Sequence, residues 1–281
     1  MLYYSESQLD QWLLDDINLG DLTTRGIGIT GSHGRITYMY RQDSRASGIE
    51  VAARLLQKCG LNVQQWAEDG QDITAGTMVL EAVGPAEKLH MAWKVTQNII
   101  EWSSGVATYM ARMLAAGRAV NPALHISCTR KSIPGTKILA NAAVLHGGGI
   151  IHRGGTAETV LLFANHRIFT DAPGNFAAHI ATLKQAAPEK KIIVEVENMI
   201  EARDALAAQP DVLQLDKFSP RDIESVLKIS AAEAPACLIS VAGGVNKENI
   251  AEFAATGATF IVTSAPYYGR SADVKARMEK L

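Results

Sequence analysis

The sequence predicts an α/β protein whose C-terminal part is a (β/α) barrel, complete or incomplete. The first observation is a series of short apolar runs that do not alternate: LHIS (124–127), TVLLF (159–163), IIVEV (192–196), VLQLD (212–216), CLISV (237–241) and TFIVT (259–263). Continuous apolar strands suit a parallel sheet covered on both faces. The second is the helical text between them, such as NMIEARDALAAQ (198–209), SPRDIESVLKI (219–229) and NKENIAEFAAT (246–256). Strand–helix units repeating every ~20–25 residues build barrels, with the chemistry where strands end and loops begin. An open doubly wound sheet is the alternative, since it too uses its strand ends.

The N-terminal third is mixed. Residues 6–15 read as a short amphipathic helix and Gly20-Asp21-Leu22-Thr23-Thr24 as a turn. GRITYMYR (34–41) alternates like a strand, and residues 48–59 read as a helix. Gly70, Gly76 and Gly84-Pro85 punctuate short strands such as TMVLEAV, and a long helical stretch runs from about Glu87 to Ala116.

Composition bounds the class. The chain has 281 residues, 47% of them hydrophobic, enough for one large core or one large and one small domain. Net charge is −2, with Lys and Arg dispersed, so neither a nucleic acid nor a membrane surface is an expected partner. No apolar run approaches the roughly 18 residues that span a bilayer. MLYYSESQLDQW lacks the pattern of a signal peptide. Cys59, Cys128 and Cys237 are far apart with no CxxC pair, which argues against a disulfide framework or a zinc site. A cytoplasmic location is the expectation.

The strand ends carry the chemistry. They offer Arg130 and Lys131, then His152 and Arg153, then Phe163-Ala164-Asn165-His166-Arg167, then Glu195, Asp216-Lys217, Gly243-Gly244 and Ser264-Ala265. Cations in the early loops suit phosphate or carboxylate oxygens, Arg as a planar fork and Lys as a point charge. Glu195 and Asp216, on consecutive strands, suit Mg²⁺ or sugar hydroxyls. Gly243-Gly244 before a helix suits phosphate. Singly, each has a bland reading. An Arg-Lys pair in a loop is usually solvated, a strand-end Asp often caps a helix, and Gly-Gly is a weak phosphate signal. Ser219 with Pro220 is a better cap than Asp216, and His146 and His179 read as packing or surface. The convergence of successive strand ends on one polyanion and metal site favours function.

These residues resemble a known family. CTRKSIPGTKILANAAVLHGGGIIHRGG is similar to the quinolinate phosphoribosyltransferase signature DTRKT-PG…GGG-NHR-G. VEVEN with LQLDKFSP, VAGGVNKENIAEFAATGATFIVTSA, DINLGDLTT and IIEWSSGVAT resemble its other motifs, in order, over essentially the whole chain. The resemblance implies an N-terminal α/β sandwich domain (1–108, with the tail 270–281 packed on it) and an incomplete TIM-like α/β barrel (109–269). It implies a homodimer in which one subunit's N-terminal domain covers its partner's barrel mouth. It also implies transfer of ribose phosphate from 5-phosphoribosyl 1-pyrophosphate to a pyridine nitrogen, with Mg²⁺ and loss of pyrophosphate. By motif, Arg130, His152 and Arg153 would hold acceptor carboxylates. Lys131 would sit between donor and acceptor, and Glu195 and Asp216 would bind ribose hydroxyls and Mg²⁺. Gly243, Gly244, Ser264 and Ala265 would hold the 5-phosphate, and Lys94 stands where the family has an Arg that crosses the interface.

Some positions depart from the motifs. LIKDNH becomes LLFANH, which puts Phe163 for the motif Lys and Ala164 for the Asp; DTRK begins with Cys128, and LDN becomes Leu215-Asp216-Lys217. Losing the ammonium at Phe163 predicts that quinolinate is a poor acceptor and that a less charged aromatic one fits better, unless Lys217 or Arg167 supplies the lost cation. These departures resemble a divergent branch, the ModD-type proteins, encoded with molybdate transporter genes. A non-catalytic oxyanion binder of molybdate metabolism is the alternative, although Glu195 and Asp216 would repel an oxyanion. A Schiff-base enzyme using Lys131 or Lys217 ranks last, because nothing apolar surrounds either.

Overall fold

The computed structural model describes residues 2–17 and 19–281; Asn18, inside the DINLGDLTT element, lies outside the described residues. In chain order the elements are α1 (Glu6–Ile17), α2 (Leu22–Gly26), β1 (His33–Tyr40), β2 (Ser44–Arg45), α3 (Ile49–Lys58), β3 (Asn62–Gln65), β4 (Asp72–Ile73), β5 (Met78–Pro85) and α4 (Ala86–Arg118). Then follow β6 (His125–Cys128), α5 (Lys137–His146), β7 (Ile150–Ile151), β8 (Val160–Leu162), α6 (Ala164–Arg167), α7 (Phe176–Ala186), β9 (Ile192–Val196) and α8 (Met199–Ala207). The chain ends with β10 (Val212–Asp216), α9 (Pro220–Glu233), β11 (Leu238–Ala242), α10 (Ile250–Ala255), β12 (Phe260–Thr263), a 3-10 turn at Ala265–Tyr268 and β13 (Val274–Lys280). They form two compact units. One takes residues up to Ala111, Ile133–Gly148 and Tyr267–Leu281; the other takes Arg112–Ser132 and Gly149–Pro266. Among the described residues no helix is long and apolar enough to cross a membrane.

The first unit is built on a four-stranded antiparallel sheet in the order β13-β1-β5-β3. In β1 the alternation places Ile36, Tyr38 and Tyr40 wholly in the core, over Leu56, Leu80, Leu89 and Ile100. The tail is more than a packed end: VKARMEK forms edge strand β13, with charged side chains that discourage further pairing. The turn expected at residues 20–24 is instead the start of a helix. Asp21 Oδ1 accepts the Thr24 N–H at 2.6 Å, so the Asp serves as an N-cap. Helix α3 is capped from a distance: the Asp69 carboxylate accepts the Ile49 and Glu50 N–H groups at 2.8 and 3.4 Å. Helix α5 follows β6 in the chain, yet its Leu139 and Ala142 pack with Leu9, Leu13, Leu55 and Ile99 in this unit.

The second unit is a seven-stranded parallel sheet in the order β7-β6-β12-β11-β10-β9-β8. Its first and last long strands, β6 and β12, pair with each other, and only β7 and β8 do not, so this is a barrel opened along one seam. Strand β7, two residues inside a glycine cluster, escaped the sequence reading. Asn198 caps α8 by accepting from Ile200 and Glu201, and Ser219 caps α9 ahead of Pro220. The register aligns Glu195, Gln214 and Ser240 on neighbouring strands. One level nearer the C-terminal ends, Asp216, Ala242, Val262 and Ser127 align. Residues two apart on a strand share a face, so Gln214 and Asp216 point the same way.

Candidate active site

The C-terminal ends of the barrel strands enclose a cavity of about 510 Å³. Of the residues given a catalytic, acceptor or phosphate role from the sequence, all but Lys94 line it, whereas Ala164, Asn165, His166 and Arg167 beyond Phe163 do not. Lys94 lies in the first unit, its Nζ 4.2 Å from the Trp93 ring centroid and 3.2 Å from Gln97 Oε1. Thr129, Gln214, Asn246 and Thr263 also line the cavity and were not foreseen.

The two carboxylates line the same cavity. Glu195 is half-buried, and its Oε2 accepts a hydrogen bond from Gln214 Nε2 at 2.5 Å. Burial pushes its pKa up, the Gln214 bond opposes that, and the nearby Asp216 charge raises it further. Lys217 Nζ lies 3.5 Å from Asp216 Oδ2 with its side chain 80% exposed. Lys217 also holds φ +60°, a left-handed conformation that costs an L-residue about 1–2 kcal/mol. The family's motif places Asn here, which tolerates that conformation far better. Glycine is required next door: Gly243 has φ +90°, and a Cβ there would lie 2.6 Å from Lys217 N and 2.7 Å from Asp216 Oδ1.

The phosphate side differs from expectation. Helix α10 begins only at Ile250 and has six residues, so its dipole does not back the Gly243-Gly244 turn. Side chains shape this loop instead. Asn249 Oδ1 accepts the Asn246 N–H at 2.8 Å, and Asn249 Nδ2 donates to Gly244 O at 3.1 Å. Thr263 Oγ1 donates to Val245 O at 2.6 Å and accepts the Ala265 N–H at 3.0 Å. The Ala265 amide is thus engaged within the loop.

The cationic side gathers Arg130, His152 and Arg153. Arg153 is buried, with Nη2 donating to Thr156 O at 3.0 Å and Nε without a partner in the protein. His152 Nε2 is also buried without a protein partner. Burial lowers the His152 pKa and the Arg153 charge lowers it further; burial and then Arg130 weaken the hold of Arg153 on its proton. A second hollow of about 440 Å³ adjoins this cluster, lined by Val160, Leu161, Phe163 and His166 together with the two arginines. It borders the open seam between β7 and β8. The Phe163 ring stacks on His166 at 5.6 Å and 29°. His166 Nδ1 accepts the Phe163 N–H at 3.0 Å, which places the proton of a neutral ring on Nε2.

Arg167 does not supply the cation that Phe163 lacks. It is buried, with Nη2 3.0 Å from Glu201 Oε1, Nη1 donating to Pro173 O at 3.3 Å, and the guanidinium over Phe176 at 4.7 Å. Glu201→Ala is therefore expected to destabilise the fold by about 3–5 kcal/mol, read by chemical denaturation, because it strands a buried charge.

Two family models cover nearly the whole chain: the quinolinate phosphoribosyl transferase N-terminal domain matches residues 21–104, and the C-terminal domain matches residues 106–277. The chain belongs to the quinolinate phosphoribosyltransferase family. A protein of Escherichia coli O6:H1 described as "Putative pyrophosphorylase ModD" is 46% identical over 99% of this chain and 98% of its own length. A "Probable nicotinate-nucleotide pyrophosphorylase (carboxylating)" of Synechocystis is 31% identical, covering 92% of this chain and 86% of its own. In fold, NadC from Streptococcus pyogenes matches with a TM-score of 0.88 at 24% identity, covering 100% of both chains. Within the quinolinate phosphoribosyltransferase family the chain thus sits with the ModD-type proteins. The family is one of phosphoribosyltransferases.

In a quinolinate phosphoribosyltransferase site of this design, an anion seated among Arg130, His152 and Arg153 favours the protonated imidazole. His152 without ligand stays neutral until below its ordinary value, near pH 6.5. Binding of a carboxylate ligand near that ordinary value is therefore expected to take up a proton. Calorimetry in buffers of different ionisation enthalpy reads this uptake, and His152→Asn should abolish it.

Proposed function

We propose that the protein transfers ribose 5-phosphate from 5-phosphoribosyl 1-pyrophosphate to the ring nitrogen of a heteroaromatic acceptor less charged than quinolinate. The observation that carries this reading is the meeting of Glu195 and Asp216 with Lys131, Arg130 and the Gly243-Gly244 turn around one cavity. In the reaction the ring nitrogen's lone pair forms the bond to C1 of the ribose while the C1–oxygen bond breaks and pyrophosphate leaves. The nitrogen needs no general base, so positioning and charge complementarity dominate. Carboxylates at the ribose stabilise the positive charge that develops at C1. Lys131 and Arg130 face the leaving group and the acceptor.

The donor set fits Mg²⁺. Among the described residues no group of three or more His, Cys, Asp or Glu gathers as a metal cage. A pair of carboxylates is what Mg²⁺ uses when it keeps waters and takes substrate phosphate oxygens. Glu195 and Asp216 would hold it, where it would neutralise the departing pyrophosphate. A homodimer in which Lys94 reaches the partner's acceptor side belongs to the same proposal, supported by the family motif at that position.

Phe163 sets the acceptor. Arg130, His152 and Arg153 provide for one carboxylate, while the ring and Leu161 offer apolar surface where the motif has an ammonium. A screen of pyridine and related heteroaromatic carboxylates, read by pyrophosphate release, tests the proposal. Mono-anionic acceptors should turn over and quinolinate should not; efficient quinolinate turnover would refute the altered acceptor. Phe163→Lys is expected to raise quinolinate turnover about 10-fold or more, since an unpaired buried carboxylate costs about 3–5 kcal/mol.

A further inference from the structure

Gln214 is 3% exposed, yet it lines the cavity from the interior of β10. An ionised carboxylate only accepts hydrogen bonds, so the amide nitrogen of Gln214 must face Glu195 and its carbonyl oxygen must face away. That oxygen, Oε1, is buried without a partner in the protein. Ser240, aligned with Gln214 on the next strand, does not donate to it, and its own Oγ is likewise without a partner. A buried amide oxygen left unbonded costs about 1–3 kcal/mol, so the site is built for a ligand that brings a donor. The neighbouring groups identify that ligand. Glu195 is paired with Gln214 across the strands, and Asp216 follows two residues on along the same face. This is a row of acceptors, which a phosphate ester, having only acceptor oxygens, does not complement. Two adjacent hydroxyl groups do.

We propose that Gln214 is a ligand of the donor sugar: its side-chain carbonyl accepts from one of two vicinal ribose hydroxyls that Glu195 and Asp216 also hold. The site thereby selects ribose over deoxyribose. This rests on the phosphoribosyl-transfer reading above.

The test is binding of ribose 5-phosphate, 2-deoxyribose 5-phosphate and 3-deoxyribose 5-phosphate by calorimetry. Chelator is present, so that a metal-ligand role for Gln214 does not register. The wild-type protein should prefer ribose 5-phosphate over at least one deoxy sugar by about 10-fold. Gln214→Met, which conserves volume, should reduce that preference to about 3-fold or less, the size of one lost hydrogen bond. Gln214→Leu, a second variant without the oxygen, should reduce the preference likewise. It stands in should the Met variant fail to fold, since a retained preference in Gln214→Leu would overturn the inference. An undiminished preference in Gln214→Met would overturn it too, and so would equal losses for all three sugars. If the wild-type protein binds neither ribose 5-phosphate nor 5-phosphoribosyl 1-pyrophosphate, with or without Mg²⁺, the transfer reading itself fails, and this inference with it.

Discussion

Asp216→Asn is expected to cut turnover by about 10²–10³-fold, about 3–4 kcal/mol of transition-state stabilisation, with the melting temperature unchanged or raised. The substitution keeps the shape of the side chain and removes only its charge. In the resting protein that charge raises the pKa of Glu195, so neutralising it relieves repulsion. Its contact with Lys217 joins a side chain 80% exposed, and such pairs contribute little to stability. In the proposed transfer the same charge would face the ribose carbon as it becomes cationic. A residue whose loss damages catalysis while sparing the fold is the signature of a site held against its own stability. Pyrophosphate release and thermal unfolding, measured on the same sample, check both halves.

Gly243→Ala has the second large effect, for a different reason. At φ +90° any L-residue is strained, and the added methyl would lie within 2.7 Å of Asp216 Oδ1 and closer still to Lys217 N. These are backbone and carboxylate atoms that cannot swing aside as the tip of a flexible side chain would. The turn must move, taking Asp216 with it, at about 1–3 kcal/mol of stability. Donor KM should rise by 10-fold or more, on the order of the loss from displacing a charged contact. Gly244→Ala is the control. Its φ of +80° carries similar strain, but a Cβ there meets nothing within 4 Å, so stability falls and donor KM changes little. Equal KM effects from the two variants would show that the turn does not position Asp216.

Apart from β7, the barrel strands were legible because they are largely apolar runs, with candidate site residues such as Glu195 and Asp216 at or near their ends. The seam between β7 and β8 was not, because which neighbours fail to pair is a property of closure and no local pattern encodes it. Asp21 shows the short-range ambiguity: an Asp beside Gly and Thr starts a turn or caps a helix, and only the Thr24 amide decides. In β13 the buried Val274 and the inward-leaning Ala276 and Met278 carry a strand period that flanking Lys, Arg and Glu obscure. Gln214 escaped because a lone polar residue in an apolar strand carries no motif. Counting back two residues from Asp216 along the strand would have found it. Arg167 could not be assigned from sequence at all: its commitment to Glu201 joins residues 34 apart in the chain.

A cavity shaped for a pyrophosphorylated sugar should reveal itself in titration calorimetry with 5-phosphoribosyl 1-pyrophosphate. Binding should require Mg²⁺ for full affinity, and Asp216→Asn should weaken it. Molybdate at the same concentrations should give no heat. Saturable molybdate binding without Mg²⁺, together with silence toward 5-phosphoribosyl 1-pyrophosphate, would make the protein an oxyanion binder and not a phosphoribosyltransferase.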